Sequence, residues 1–449
     1  MTTVSLYGTD RNSINPADVH QTLSRKLLVD GYPFVYDHRA SQGSWLVDAV
    51  NGRRYLDFFS FFASAPVGHN HPGLKDPDFR ERIADIASIN PSNSEVYTIE
   101  MAEFVHALTA KAAPEDMHHF FFVAGGAPAV ENALKVAFDW KVRKNFAKGY
   151  NIERGHKIIH FKEAFHGRLG YTLSLTNTAD PRKYMYFPRF QDWPRIENPK
   201  LRHPLTPENL QSVQEAERRA VAQIEEAFRQ HLDDIAAIII EPIQAEGGDN
   251  HFRPEFFAEL RRLADENEAL LIFDEIQTGV GITGKFWATE YTGVRPDIIV
   301  FGKKLQVCGV MAGERVDEVE RNVFVEPSRI NSTWGGNLVD MVRATRFLEI
   351  IEEEKLVENA YCQGQKLMEG LAQVQERCGR IDNLRGKGLM IAFDLPTHAE
   401  RDEVIQKAFE REMLLLPCGT RSIRLRPHLD VKPEVVEEAL NRLEDTLCA

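Results

Sequence analysis

Five short apolar runs recur through the middle of the chain, at residues 118–123, 157–161, 235–240, 269–273 and 298–301, and each stops at polar or glycine-rich sequence. Runs of this length predict strands buried on both faces, as in a parallel sheet. Between them the apolar period becomes that of a helix. Met101, Phe104, Val105 and Leu108 share one helical face, and Val130, Leu134, Ala137 and Phe138 share another. Residues 208–231 turn Val213, Ala216, Ala220, Ile224 and Phe228 to one side, and a further helix is predicted over residues 254–267. Strand and helix in alternation predict an α/β unit with a mostly parallel sheet.

A different pattern flanks this unit. Residues 34–36 and 44–47 alternate loosely, with a hairpin signal at Val50-Asn51-Gly52-Arg53. A long helix from about Asn337 past Ile351 leads into helix 356–378, strand 389–393, helix 400–411, strands 414–416 and 422–427, and a closing helix from Pro433. We therefore expect an N-terminal segment over residues 1–70, a large domain over 71–345 and a small α+β lobe over 346–449.

Composition narrows the function. The 449 residues carry a formal net charge of −13, which disfavours nucleic acid or an anionic membrane as the main partner. Any anionic ligand must be held by local groups. Met1 to Asn15 is polar and lacks the apolar stretch of a secretory leader, and no apolar run approaches the ~20 residues of a membrane span. The five cysteines are scattered without a CxxC or Cys/His spacing, so neither a zinc or other metal site nor a disulfide framework is expected, and a reducing cytoplasm fits best.

Chemistry gathers where the apolar runs end. Run 298–301 stops at Gly302 and presents Lys303 and Lys304. A glycine there leaves room for a flat group to approach. The carboxyl end of a parallel strand is where open α/β sheets place ligands. An amine at that point is either a solvated strand-end lysine or one able to form a Schiff base with an aldehyde such as pyridoxal phosphate. Neighbours in an extended segment face opposite sides, so only one lysine can face a ligand, and Lys303 is expected to be that one.

Run 118–123 leads through Gly125, Gly126 and Ala127 into a helix, which is either a plain turn or an anion site at a helix N-terminus. Pro128 is tolerated near the first turn. Phe165-His166-Gly167-Arg168 is either a surface loop or a ring-stacking and carboxylate-binding element. Asp274 and Glu275 end a buried run, so a cationic partner is expected, a protonated pyridine nitrogen being one candidate. The aromatic run 55–62 is core packing, or else a pocket wall or subunit interface. The histidines of Gly68-His69-Asn70-His71-Pro72 read as structural. Residues 176–207 form a long aperiodic excursion, a feature often functional in compact domains.

Gly-His-Asn-His-Pro, Gly125-Gly126-Ala127, Phe165-His166-Gly167, Asp274-Glu275-Ile276-Gln277-Thr278-Gly279 and Phe301-Gly302-Lys303 follow one another in this order. Together they resemble the class-III pyridoxal-phosphate aminotransferases of fold type I, over nearly the whole chain. The resemblance implies a large domain with a mostly parallel seven-stranded sheet flanked by helices, a smaller α+β lobe from both chain ends, and a homodimer with shared active sites. It implies that Lys303 is the catalytic, cofactor-bearing lysine. Gly126, Ala127, Phe165, Asp274 and Gln277 would hold the cofactor, with Thr333 supplied by the partner subunit. Gly125 stands where the family commonly has Ser or Thr.

Lys303-Lys304-Leu305-Gln306-Val307-Cys308-Gly309, the Asn331–Gly336 loop and the arginines near 189 and 195 resemble the branch that moves the ε-amino group of L-lysine to 2-oxoglutarate. On that resemblance Arg168 would hold the α-carboxylate of lysine and Arg424 that of the keto acid. Gln277 and Asn331 would line the substrate, and Glu246 would pair with Arg424 when lysine is bound. Another ω-amine as donor, such as ornithine or 4-aminobutyrate, and a PLP-dependent aminomutase are the alternatives.

Overall fold

The computed structural model describes residues 14–448. Most of the polar start therefore lies outside the described residues. Along the chain run β1 (Trp45–Val47), β2 (Arg54–Asp57), β3 (Met117–Val123), β4 (Lys157–Phe161), β5 (Arg195–Ile196), β6 (Ile235–Ile240), β7 (Leu270–Asp274), β8 (Ile298–Phe301) and β9 (Cys308–Gly313). Strands β3 to β9 form one seven-stranded sheet in the order β3-β9-β8-β7-β6-β4-β5. Neighbours are parallel from β5 to β8, and β9 alone runs against both β8 and β3.

Both faces of this sheet are covered, which is why its central strands β6, β7 and β8 are apolar up to the Asp274 that ends β7. In β6, Ala237 and Ile239 pack with the helix Gly126–Ala147 through Val130, Leu134 and Trp140. Ile238 and Ile240 face the opposite layer, packing with Ile224 and Phe228 of helix Pro207–Gln230 and Phe256 and Leu260 of helix Pro254–Glu266. Successive strand residues point to opposite faces, so one uninterrupted apolar run serves two cores. The parallel strands all end on one side, and β4, β6, β7 and β8 deliver Phe165, Glu241, Asp274 and Lys303 there.

The chain then adds β10 (Asp382–Lys387), β11 (Met390–Asp394), β12 (Met413–Leu414), β13 (Leu416–Cys418) and β14 (Ser422–Leu425). Strands β10-β11-β14-β13 form an antiparallel sheet, and β12 joins β1 and β2 by pairing parallel to β2. Among the described residues no helix is long and apolar enough to cross a membrane.

Several elements differ from expectation, among them β10, which was not anticipated, and the expected strand 414–416, which is split between β12 and β13. Strand β9 was not anticipated because glycines break its apolar pattern. A Cβ on Gly309 would lie 2.4 Å from the Phe121 carbonyl oxygen, so only glycine lets this strand lie between its neighbours. Strand β3, expected to be buried on both faces, is an edge strand with partly exposed residues. Residues 34–36 make only an isolated bridge, between Tyr36 and Asp48. Helix Pro77–Ile89 buries no residue and so left no apolar stripe to find. The expectation of no disulfide framework also needs correction, since Cys378 is bonded to Cys448 across 5.0 Å between Cα atoms. Each cysteine lies at the end of a helix, Leu356–Cys378 or Pro433–Leu447, and packing between these helices, invisible in sequence spacing, brings the two ends together.

The aromatic run divides. Phe58 and Phe59 are buried, whereas Phe61 and Phe62 are exposed. Between them the backbone makes a left-handed turn, with φ of 39, 51, 60 and 61° at Ser60, Phe61, Phe62 and Ala63. Left-handed backbone costs L-residues about 1–2 kcal/mol each, so the turn needs outside support. Buried Asp57 supplies it. Its Oδ1 accepts from the backbone N–H of Phe59 (2.9 Å) and Ser60 (2.7 Å), and its Oδ2 pairs with His69 Nε2 at 3.0 Å. His69 Nδ1 lies 3.0 Å from the Tyr36 hydroxyl.

Burial alone would raise the Asp57 pKa, but His69, His428 and the backbone donors outweigh it and lower it. Its stabilising contribution is thus complete above the ordinary aspartate pKa and is lost as pH falls through the lowered folded value. Asp57→Ala is expected to cost about 3 kcal/mol at neutral pH. In urea unfolding the difference from wild type should shrink toward strong acid. A variant as stable as wild type at pH 7 would remove Asp57 as the support.

Candidate active site

The strand ends open into a cavity of about 1360 Å³. Lys303 follows β8 and Gly302, at its floor. The segment is not extended as expected but a single 3-10 turn, Lys303–Leu305, entered with φ of 46° at Lys303. This turn separates the two lysines. Lys303 lines the cavity, where its Nζ donates to Gln277 Oε1. Lys304 is buried outside it, with Nζ donating to the Gln277 carbonyl oxygen at 2.8 Å. The space beside Gly302 is filled by Cys308, whose Sγ would lie 2.7 Å from an added Cβ, so this glycine accommodates a thiol and not a flat ligand.

Burial disfavours the Lys303 ammonium, and Arg424 and Arg426 add to the effect. Asp274 and Glu241 oppose it incompletely, leaving the amine at about 7. A large share of Lys303 is therefore uncharged near neutrality, the form in which an amine is a nucleophile or base.

Asp274 ends β7. Its Oδ2 pairs with His166 Nδ1 at 2.8 Å, and its Oδ1 accepts from the Ile276 N–H at 3.1 Å. Burial works against a charged His166, but the hydrogen bond and charge of Asp274, with Glu241, outweigh it and raise its pKa. The cationic partner expected for this pair of acids is thus His166, and it serves Asp274 alone. Glu275 is satisfied by uncharged donors, the Thr278 hydroxyl and the N–H groups of Ala288 (3.0 Å) and Thr289 (2.6 Å).

Two further groups were missed by sequence reasoning. Glu241 follows β6 as Asp274 ends β7, and an acid after an apolar run was the available signal. Burial is the main cause that lifts its pKa to about 7. Its oxygens accept from Phe165 N–H (3.0 Å) and Ala245 N–H (3.1 Å). Lys183 lies in the excursion, on the 3-10 turn Pro181–Lys183, and aperiodic sequence offered no signal for it.

Gly125, Gly126 and Ala127 bring the N-terminus of helix Gly126–Ala147 to the cavity. A Cβ on Gly167 would lie 2.5 Å from Ala127 Cβ, so the Phe165 loop is seated directly on that terminus. Phe165 lines the cavity, Arg168 stands exposed at its edge, and Arg424 reaches it from β14. The pairing of Glu246 with Arg424 is expected only when lysine is bound, and in this structure Glu246 has another partner. Glu246 pairs with Lys183, which reaches the same carboxylate from the excursion. Asn331 and Thr333 are exposed and do not line the cavity of their own chain. Asn331 Nδ2 reaches Glu95 at 3.4 Å, and the Thr333 carbonyl accepts from the Ser92 hydroxyl.

The profile of the family Aminotransferase class-III matches residues 29–447. The chain belongs to the class-III aminotransferases. It is 51% identical over 434 residues to the L-lysine-epsilon aminotransferase of Mycobacterium tuberculosis, covering 96% of each chain. It is 47% identical over 443 residues to the enzyme of that name from Streptomyces clavuligerus, covering 98% of this chain and 96% of the relative. The solved lysine aminotransferase from M. tuberculosis in the internal aldimine form superposes with a TM-score of 0.94 at 50% identity, covering 97% of this chain and 99% of that one.

Class-III aminotransferases depend on pyridoxal phosphate, and the residues of this cavity fit it. A helix N-terminus with free N–H groups suits a phosphate. Buried Asp274 suits a protonated ring nitrogen, and Gln277 Nε2 is buried without a partner, ready for an oxygen acceptor.

The Lys303 amine should titrate near pH 7 in competitive acylation of the cofactor-free protein read by mass spectrometry, far below the ordinary lysine value of about 10.4. Arg424→Gln removes a neighbouring positive charge and is expected to move that titration upward. A midpoint near 10 in the unaltered protein would overturn the assignment of an uncharged amine.

Proposed function

We propose that the chain transfers the ε-amino group of L-lysine to 2-oxoglutarate, giving L-glutamate and 2-aminoadipate 6-semialdehyde, which cyclises. The observation that carries this reading is one cavity holding an amine lowered to about 7, with Arg168 at its edge, Arg424 deep inside, and Glu246 as the carboxylate that can pair with a cation. A donor with an amine at each end and an acceptor with a carboxylate at each end need such a site. The two M. tuberculosis comparisons and the S. clavuligerus relative support the same donor. A cytoplasmic setting is part of this reading, supported by the free thiols of Cys308, Cys362 and Cys418.

When bound, pyridoxal phosphate supplies an electron sink for the carbon that carries the amine. Gly126 and Ala127 would offer N–H groups to its phosphate, Phe165 would lie against its ring, and Gln277 would reach its ring hydroxyl. Asp274, oriented by His166, would pair with the ring nitrogen and favour its protonated form. Lys303 takes and returns the proton of the reacting carbon. Arg168 holds the α-carboxylate of lysine, so that its far amine is the one presented. Asn331 and Thr333, exposed and outside their own cavity, are suited to complete the site of a partner subunit in a homodimer.

An amine-donor screen with 2-oxoglutarate, identifying which carbon is oxidised, tests the donor. L-lysine oxidised at its ε-carbon is expected. One methylene in the donor is worth about 1–3 kcal/mol, so preferred turnover of ornithine or 4-aminobutyrate would replace the reading. Lys303→Ala should lower the rate by about 10²–10⁴-fold or more. Mixing Lys303→Ala with Thr333→Ala subunits under exchange should restore activity, because each mixed dimer rebuilds one intact site. No gain over the separate variants would mean that the sites are not shared.

A further inference from the structure

The carboxylate of Glu246 lines the same cavity as Lys183 and Arg424. One oxygen is held by Lys183, and the other is buried without a partner. Arg424 is 6% exposed, and its Nε is buried with no acceptor. Among the described residues Arg424 makes no side-chain ion pair. A buried guanidinium left open in this way is costly and demands an anion. Glu246 is an anion in the same cavity, yet it is engaged elsewhere.

We propose that Lys183 is a specificity-determining residue that parks Glu246 and so leaves Arg424 open for the carboxylate of the keto acid. The inference rests on the donor and acceptor read above. In the amine half-reaction Glu246 leaves Lys183 and covers Arg424, and the freed Lys183 ammonium joins Arg168 as a site for the α-carboxylate of the donor. In the keto-acid half-reaction Glu246 returns to Lys183, and the acceptor's carboxylate takes its place on Arg424. Every buried or half-buried charge then has a partner in both states, so neither state carries the cost of a bare ion.

The backbone around Glu246 says how the exchange happens. A Cβ on Gly247 would lie 2.3 Å from the Glu163 carbonyl oxygen, and one on Gly419 would lie 2.8 Å from the Gly247 carbonyl oxygen. The Glu246 carbonyl accepts from the Gly419 N–H at 2.8 Å. These glycines permit close packing on both sides and leave the backbone no room to swing. The carboxylate moves by rotation about its own side-chain bonds, and Lys183 brings four such bonds of its own.

The test is a double-mutant cycle on the cofactor-loaded enzyme, titrated calorimetrically with glutarate, an unreactive dicarboxylate of the acceptor's length. Lys183→Met should weaken glutarate about tenfold, equivalent to about 1.4 kcal/mol, because Glu246 then stays on Arg424. Glu246→Gln should bind glutarate at least as well as the parent. The double variant should recover the affinity lost in Lys183→Met, and Lys183→Arg should keep most of it. Unchanged glutarate affinity in Lys183→Met overturns the proposal. So does a double variant as weak as Lys183→Met, since Lys183 would then act on the ligand directly or on the fold. If L-lysine is not a donor but the cycle closes as expected, the donor reading fails and the parked pair stands. If L-lysine reacts at its ε-carbon and the cycle shows no coupling, the parked pair alone falls.

Discussion

An amine lowered to about 7 at the floor of a cavity that must also bind anions is the constraint on which this structure turns. Arg424 is buried in that cavity with no side-chain ion pair among the described residues, and burial calls for partners to every charge. Arg424 and Arg426 press Lys303 toward its neutral form, while Asp274 and Glu241 keep the opposing field from vanishing. Arg426 is itself wholly buried and paired with Asp249. Arg385 donates to the Gly248 and Asp249 carbonyls at 3.1 Å and ion-pairs with Asp394 at 2.9 Å. The small antiparallel sheet thus presents a row of arginines to the large one, and only Arg424 is left with its charge unspent.

That balance depends on strand ends being held more firmly than ordinary loops. Lys303 is fixed by a turn with positive φ, and Lys304 anchors the same turn to the Gln277 carbonyl from the far side. Burial, with Lys303 and Arg426 nearby, pushes the Lys304 pKa well down, so it donates there without demanding a buried counterion. Adjacent lysines therefore divide the work: one meets the cavity and the other holds the loop that carries Gln277.

Much of the architecture was legible in sequence because it follows from burial. A parallel strand covered on both faces must be apolar throughout, and β6, β7 and β8 announce themselves in that way. Strand β9 hides because close approach required glycine where a strand signal required bulk. At the site, Lys303 and Asp274 were legible as polar residues placed immediately beyond apolar runs. Glu241 carried the same mark, whereas His166 lies in the loop beyond its run and gains meaning only from a partner distant in sequence, since Asp274 lies 108 residues from it. The partner of Glu246 was not legible at all. Opposite charges in a sequence give no order of preference, and only packing of the excursion shows that Lys183 reaches Glu246.

Glu241 shows how far one buried carboxylate can extend a local choice. One of its oxygens accepts from Phe165 N–H and the other from Ala245 N–H, the residue before Glu246. The loop that would lie against the cofactor ring and the loop that carries the movable acid therefore share one anchor. A carboxylate lifted to about 7 is divided between neutral and charged forms near neutrality. The charged form accepts both N–H groups strongly, whereas protonation weakens at least one of these bonds. Charge entering the cavity near Asp274 or His166 acts on this acid directly, because both already act on its pKa. The two loops thus share an anchor whose charge is set by burial and by His166 and Asp274 beside it.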